Sequence, residues 1–159
     1  MAAYIKFDGV DGESQDKDHK NWCDLVSFGQ ALHKPGRGTG QSRRRGDVVL
    51  EDITCTKELD KASPKLAESV CKGKVFPKVE IHLTASYTDS GRVTYYAYEL
   101  KNVQVASYHV GGQGQSESVP VEDFTLNFEE IKVTYTENDS KGKKKGNVEY
   151  SWKVEEGSK

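Results

Sequence analysis

Alternating apolar and polar residues between positions 78 and 87 form the most regular pattern in the chain. The apolar members of this segment are Val79, Ile81, Leu83, Ala85 and Tyr87. A period of two puts successive side chains on opposite faces of an extended strand, so this spacing predicts a strand with one buried face. His82 falls on the polar face, where it is expected to be solvated.

The segment before this strand predicts the single helix, over about 64–72. Ser63 is expected to cap its free N–H groups, and Pro64 fits the first turn, where a missing N–H costs nothing. Gly73 is expected to end the helix in the left-handed conformation. The apolar stripe of this helix consists of Leu66, Ala67, Val70 and Cys71. A helix this short is marginal alone in water, so the stripe is expected to pack on a neighbouring sheet.

Two longer segments, 92–108 and 124–135, reverse the parity of their apolar positions part-way along. In both, the apolar positions are even in the first half and odd in the second. Such a reversal requires a bulge or bend, here near 101–102 and 129–130. Two bends in neighbouring strands allow a sheet to curl on itself.

Further strands are predicted at 4–7, 21–32 and 148–154, and the whole chain, 1–159, is expected to form one domain. The predicted fold is mainly β: an antiparallel β-barrel or tight two-sheet sandwich of about eight strands, with one short α-helix packed on its side. A formal net charge of −2 and the absence of a long apolar run argue against general nucleic-acid binding and against membrane insertion.

Cysteine usage and the N-terminus indicate a cytoplasmic protein. The first residues are too few and too charged for a signal peptide. Cys23, Cys55 and Cys71 have no metal-ligand spacing, and an odd number of cysteines favours reduced thiols. All three are expected to be buried, as small apolar residues.

Charge is concentrated in two loops. The acidic loop, 8–18, carries one lysine and five acids: Asp8, Asp11, Glu13, Asp16 and Asp18. Their spacing does not match a calcium-binding loop, so a solvated acidic loop is predicted. The basic loop, 33–46, has no acid and carries five cationic residues: Lys34, Arg37, Arg43, Arg44 and Arg45.

The basic loop lacks the features of a nucleotide or nucleic-acid site. It has no Gly-Lys-Ser/Thr for a phosphate loop and no aromatic residue on which bases stack. Contact with a protein is therefore its favoured role, and a merely solvated loop is the alternative.

Catalytic chemistry is not indicated by the sequence. The four histidines are scattered, without metal-ligand spacing, and no serine-hydrolase elbow, zinc-protease or Walker motif is present. We expect no enzyme activity and no cofactor, and a hydrolase is the least favoured class.

Four stretches, in order, resemble the haemolysin-coregulated proteins (Hcp), the tube proteins of bacterial type VI secretion. The first is 5–14, IKFDGVDGES, followed by Asp18-His19. The second is 57–66, KELDKASPKL, which is similar to the family's lead into its one helix. The third comprises YHVGG at 108–112, VPVE at 119–122 and LNF at 126–128. The fourth is YSW at 150–152.

The resemblance implies a structural role. Members of this family form six-membered rings that stack into a tube, which a contractile sheath and its spike deliver out of the cell with small effectors attached or inside. It implies a protein that is cytoplasmic before assembly and is then secreted without a signal peptide to the extracellular space or a target cell. Because the sequence ends at Lys159, we expect no toxin domain of the kind that some members carry after the barrel.

Two site hypotheses follow from the resemblance. The strand over 21–32 resembles the strand that lines the family's channel, which would expose Ser27 to cargo; an ordinary strand serine is the alternative. The basic loop is expected to contact the acidic loop of the next ring and not to close its own ring, since opposite charges select the orientation of stacking.

The sequence also allows a second function: a monomeric β-barrel binding module that binds an acidic protein or polymer through its basic loop. The solution mass distinguishes a hexamer from such a monomer.

Overall fold

The computed structural model describes residues 1–35 and 48–154. Within these residues there are eleven strands and one helix. The strands are β1 (Ala2–Phe7), β2 (Cys23–Leu25), β3 (Ser27–Gly29), β4 (Leu32–His33), β5 (Val49–Leu50), β6 (Ile53–Glu58), β7 (Val75–Tyr87), β8 (Gly91–Gly111), β9 (Val121–Asn127), β10 (Glu130–Asn138) and β11 (Lys144–Lys153), and the helix is α1 (Ser63–Lys72).

Nine of these strands form one antiparallel sheet, in the order β2-β1-β7-β8-β9-β6-β3, with β10 joining β8 and β11 joining β10. β4 and β5 form a separate two-stranded sheet. The edge strands β2 and β3 are separated in the chain only by Val26, whose N–H donates to the Thr56 carbonyl at 2.8 Å. No ladder joins these two edges in the described part of the chain, so the molecule is a tight sandwich, not a closed barrel, and the predicted mainly β fold with one helix is confirmed.

The parity reversals predicted a bend in each of two strands, and both bends exist. β8 pairs with β10 through 96–101 and with β9 through 104–111, and Asn102 lies between these stretches with a φ of 52°. The opposite strand breaks at 128–129, so the segment expected as one strand is divided into β9 and β10. Apolar side chains from both halves of β8, among them Leu100 and Val105, are buried in the same core.

The core lies between these layers. Phe7 is completely buried, and its ring packs against Phe76 at a centroid distance of 5.3 Å and against Phe124 at 5.9 Å. Leu66 of α1 is also fully buried and docks the helix on the sheet beside β8.

Two details of the helix prediction are wrong. Ser63 does not cap the helix: Ala62 is the N-cap, and the Ser63 hydroxyl donates instead to Glu122 Oε1 at 2.9 Å. Cys71 is exposed, because the buried side of the helix follows Ala62, Leu66 and Ser69, and Cys71 is rotated away from that side. Gly73 ends the helix with a φ of 62°, as expected.

The strand predicted over 21–32 is divided into β2, β3 and β4, because each short piece pairs with a different partner, respectively β1, β6 and β5. This division and the break between β9 and β10 account for eleven strands where about eight were expected.

Candidate functional surfaces

The outer face of β3, β6, β9 and β8 is polar and rich in hydroxyl groups. In register across the four strands, Ser27 lies opposite Thr56, Thr56 opposite Asp123, and Asp123 opposite His109. The Thr56 hydroxyl donates to Asp123 Oδ1 at 2.6 Å. A second row contains Thr54, Thr125 and Ser107, and the Ser107 and Thr125 hydroxyls are 2.7 Å apart. We call this surface, with the exposed Ser27 at its edge, the hydroxyl face.

The exposed large apolar side chains include two groups that lie on different strands. The strand patch, on β4 and β11, consists of Leu32, Val148 and Tyr150, which are 44–74% exposed. It borders a groove of about 180 Å³ lined by Leu32, Val48, Leu50, Tyr150 and Trp152. The loop patch, at the end of β8 and the start of β9, consists of Val110, Val119 and Val121, which are 37–47% exposed. The two patches share no strand.

The acidic loop is less uniformly negative than its sequence indicates. Lys6 Nζ lies 2.7 Å from Asp11 Oδ1, and this hydrogen bond holds the pKa of Asp11 below its ordinary value. Glu13 accepts the Lys61 backbone N–H at 3.0 Å. Asp16 is bonded to His19 and faces Arg92. Asp8, Glu13 and Asp18 are the exposed acids of this loop that carry no ion pair shorter than 4.0 Å among the described residues.

Of the basic loop, the structure describes only the base. Lys34 is exposed, whereas Arg37, Arg43, Arg44 and Arg45 lie outside the described residues. The base is formed by β4 and β5, where Leu32 pairs with Leu50 and His33 with Val49. The acidic loop enters β2 at Cys23, and the chain leaves β4 at His33. The acidic loop and the base of the basic loop are therefore separated along the chain by β2, β3 and β4.

A buried ionic network fixes the start of α1 to the sheet. Lys57 on β6 lies opposite Glu122 on β9, both side chains are fully buried, and Lys57 Nζ is 2.5 Å from Glu122 Oε1. Lys57 Nζ also donates to Asp60 Oδ1 at 2.8 Å. Burial alone would lower the pKa of Lys57, but the bonds to Asp60 and Glu122 raise it above its ordinary value. Ser63 and Tyr108 donate to the two oxygens of Glu122, so every polar group here has a partner.

The parity of the apolar positions in β6 and β9 indicates this network in the sequence. Lys57 shares strand parity with the buried Ile53 and Cys55, and Glu122 shares parity with the buried Phe124 and Leu126. A lysine and a glutamate on buried positions of two strands indicate an ion pair once those strands are known to be neighbours.

The structure also brings together two histidines that the sequence separates by 63 residues. His19, in the acidic loop, is 3% exposed, and its Nε2 lies 3.0 Å from Nδ1 of His82 on β7. His82 is therefore not simply solvated, and the prediction for this residue is wrong. The β1–β7 register places His82 opposite Tyr4. The Tyr4 ring in turn stacks on His19, with a centroid distance of 4.5 Å, so this register brings the two histidines near each other.

No group of three or more His, Cys, Asp and Glu side chains in residues 1–35 and 48–154 is arranged to hold a metal ion. Among the helices of this same part of the chain, none has the length and apolarity needed to cross a membrane.

The family described as "Type VI secretion system effector, Hcp" matches residues 4–135. The chain belongs to the Hcp family. It is 30% identical to protein hcp1 of Pseudomonas aeruginosa over 153 residues, which cover 95% of this chain and 93% of that protein. A solved structure described as a type six secretion system protein superimposes with a TM-score of 0.90 at 28% identity, covering 99% of this chain and 98% of the other.

Hcp1 from Salmonella typhimurium has the same fold, with a TM-score of 0.78 at 22% identity over 99% of this chain and 97% of its own. The resemblance inferred from the four sequence stretches is thus confirmed. Hcp proteins are structural tube components of type VI secretion, and this places the chain in a structural and secreted family.

Proposed function

We propose that this chain is the structural subunit of the type VI secretion inner tube, forming hexameric rings that stack, are exported and carry small effectors in their lumen. The observation that carries the proposal is the presence of two unlike apolar patches on one small domain. A closed ring of more than two subunits needs a heterologous interface, in which two different surfaces of each subunit meet. The strand patch and the loop patch supply two such surfaces.

Single charges at the centre of each patch test ring closure. Val119→Asp in the loop patch and Val148→Asp in the strand patch should each give folded monomers of 17.7 kDa by light scattering. Val75→Asp is the matched control, because Val75 is as exposed as Val119, at 47%, and lies outside both patches. That control should remain in the oligomer.

Mixing the two monomeric variants gives a sharper result. Each retains one intact patch, so a heterologous interface allows one productive contact and the mixture should form a dimer of twice 17.7 kDa, about 35 kDa. If the mixture stays monomeric, or if both variants assemble normally alone, the two patches do not form the ring interface.

The hydroxyl face is the surface best suited to line the lumen. Hydroxyl and carboxylate groups keep it wet, and its strands present no large apolar side chain between Ser27 and His109 along the register. We expect Ser27→Arg to leave the ring mass unchanged and to reduce the small effectors recovered with the ring. Ser140→Arg, at an exposed turn outside this face, should reduce neither. Equal loss of effectors in both variants would argue against a lumen position for Ser27.

Stacking is proposed to join the basic loop of one ring to the acidic loop of the next. Its support is the opposite charge of the two loops: the acidic loop has five acids and one lysine, and the basic loop has five cationic residues and no acid. Since Lys6, His19 and Arg92 already engage part of the acidic charge, the attraction should be weak and easily screened by salt.

Changing Arg43, Arg44 and Arg45 together to Glu should therefore leave hexamers intact and reduce tube formation at low salt and secretion. A monomeric triple variant would assign the loop to ring closure. If the triple variant forms normal tubes at every salt concentration, the basic loop is solvated and makes no contact between rings.

A further inference from the structure

The hydroxyl face carries carboxylates on its outward positions but no lysine or arginine. These positions belong to β3, β6, β9 and the end of β8 that pairs with β9, from Gln104 to Gly111. Their carboxylates are those of Glu58 and Asp123, and Asp52 joins them where the chain enters β6. The only lysine of these strands, Lys57, points inward and is fully buried.

The carboxylates of the hydroxyl face are open to a cation from another molecule. The Asp123 side chain is 60% exposed, and the basic nitrogen within 4.0 Å of it in the described chain is Nδ1 of His109, at 3.9 Å. Glu58 is exposed and makes no ion pair within 4.0 Å among the described residues. Asp52 accepts a hydrogen bond from the Asn127 amide at 3.1 Å, which leaves its charge uncompensated.

The outer face of β7, β10, β11 and the first part of β8 has a different distribution of charge. There the acids and lysines are interspersed, and three pairs lie 3.1–3.8 Å apart: Lys78 with Glu80, Lys101 with Glu130, and Lys132 with Glu149. Interspersed charges of both signs are ordinary for a solvated surface. The single sign of charge on the hydroxyl face is therefore a property of that face and not of the whole sheet.

A ring multiplies this charge. Three carboxylates on each of six subunits place eighteen on the lumen wall, without a lysine or arginine from these strands. A cavity lined by one sign of charge focuses the electrostatic potential and concentrates partners of the opposite sign. The side chains of lysine and arginine only donate hydrogen bonds, whereas carboxylate and hydroxyl oxygens accept them, so the hydrogen-bonding groups of the face match the same partners.

We propose that the hydroxyl face selects effector proteins whose surface is rich in lysine and arginine. The carboxylates of Glu58, Asp123 and Asp52 attract the cationic groups, and the rows of hydroxyls around them accept the remaining N–H groups. This inference rests on the proposed function, because it takes the hydroxyl face to line the lumen of the ring.

A small folded probe made in two charge versions tests the preference. One designed helical bundle is prepared with a net charge of about +6 and of about −6 by changing surface residues only. Its binding to the assembled protein is measured by fluorescence anisotropy at low and at physiological salt. The cationic version should bind the wild-type ring, and its affinity should fall as salt is added, because the charges involved are exposed.

Two double variants locate the binding. Glu58→Gln with Asp123→Asn removes two charges per subunit and keeps the shape of both side chains. An exposed ion pair changes affinity by about 1.4- to 5-fold, so the Kd of the cationic version should rise about 2- to 25-fold. Glu99→Gln with Glu130→Gln is the matched control, since it removes the same charge from the other face and should leave this Kd unchanged.

A third variant changes the sign of the effect. Ser27→Arg adds a cation at the edge of the hydroxyl face, so it should weaken binding of the cationic version. It should not weaken binding of the anionic version. Equal weakening of both versions would show a structural defect and would overturn the charge preference.

The ring mass, measured by light scattering on every sample, separates the two claims. An intact wild-type ring that does not bind the cationic version overturns this inference alone. So does an equal change of affinity in the two double variants, which would show a response to net charge only. A wild-type protein that is monomeric overturns the proposed function, and this inference with it.

Discussion

Replacing Lys57 by Met should be the most damaging single change in the described part of the sheet. Methionine fills a volume close to that of the lysine stem, so the substitution removes the ammonium group and leaves little cavity. What remains is the fully buried Glu122 without its cation, 2.5 Å from where the charge had been. Breaking a buried ion pair from one side costs about 3–5 kcal/mol.

That cost is a large part of the stability of a domain this size, which is typically about 5–15 kcal/mol. It corresponds to a fall in Tm of roughly 6–20 °C. Ser63 and Tyr108 still donate to Glu122 in the variant, so the loss reflects the missing ammonium group and its bonds to Glu122 and Asp60.

The assay is urea unfolding followed by circular dichroism at one fixed protein concentration, because oligomerisation makes apparent stability concentration-dependent. Lys65→Met is the matched control: Lys65 is 65% exposed on α1, and its loss should change the free energy of unfolding by less than about 0.5 kcal/mol. The double variant Lys57→Met/Glu122→Leu removes the buried pair but leaves Asp60 without its cation and the Ser63 and Tyr108 hydroxyls without their acceptor, so it should recover only part of the loss.

A decrease of under about 1 kcal/mol in the free energy of unfolding of Lys57→Met would contradict the predicted cost of an unpaired buried charge. It would mean that Glu122 is solvated or protonated at little cost. A double variant less stable than either single variant would likewise show that the pair is not coupled in the way described.

Two further predictions concern thiols and acid. Only Cys71 should react with a thiol reagent in the native protein, because Cys23 and Cys55 are buried. Burial also raises the pKa of Cys23 to about 12 and raises the pKa of Cys55. Reaction of all three thiols before unfolding would contradict this prediction. The hydrogen bond from His82 lowers the pKa of Glu80 to about 2, so this stabilisation is present above the ordinary pKa of 4.5 and is lost as the pH falls towards 2. Glu80→Gln should therefore flatten the loss of stability between pH 4.5 and 2 in acid titrations, and an unchanged slope would contradict it.

The sequence was sufficient for the features that depend on local periodicity. Parity alone located the bends of β8 and of the β9–β10 strand, because a buried face forces apolar side chains to one side of each strand. Gly73 marked the end of α1 for a local reason as well, since its φ of 62° is favourable for glycine.

Features that depend on pairing between distant strands were not predictable in this way. The segment from Cys23 to His33 has the composition of one strand, but it changes partner twice. Serine is a common helix N-cap residue, but the Ser63 hydroxyl donates a hydrogen bond to the buried Glu122 instead. The contact between His19 and His82 depends on how the acidic loop lies over β7, which no local pattern in the sequence indicates.

We propose that this member of the Hcp family assembles into closed six-membered rings. Light scattering after size exclusion at micromolar concentration tests it directly. We expect a molar mass of about 106 kDa, which is six copies of the 17.7 kDa chain, and we expect no change in this mass on moderate dilution. A mass of 17.7 kDa at all concentrations up to the high micromolar range would contradict it and would favour a monomeric binding module.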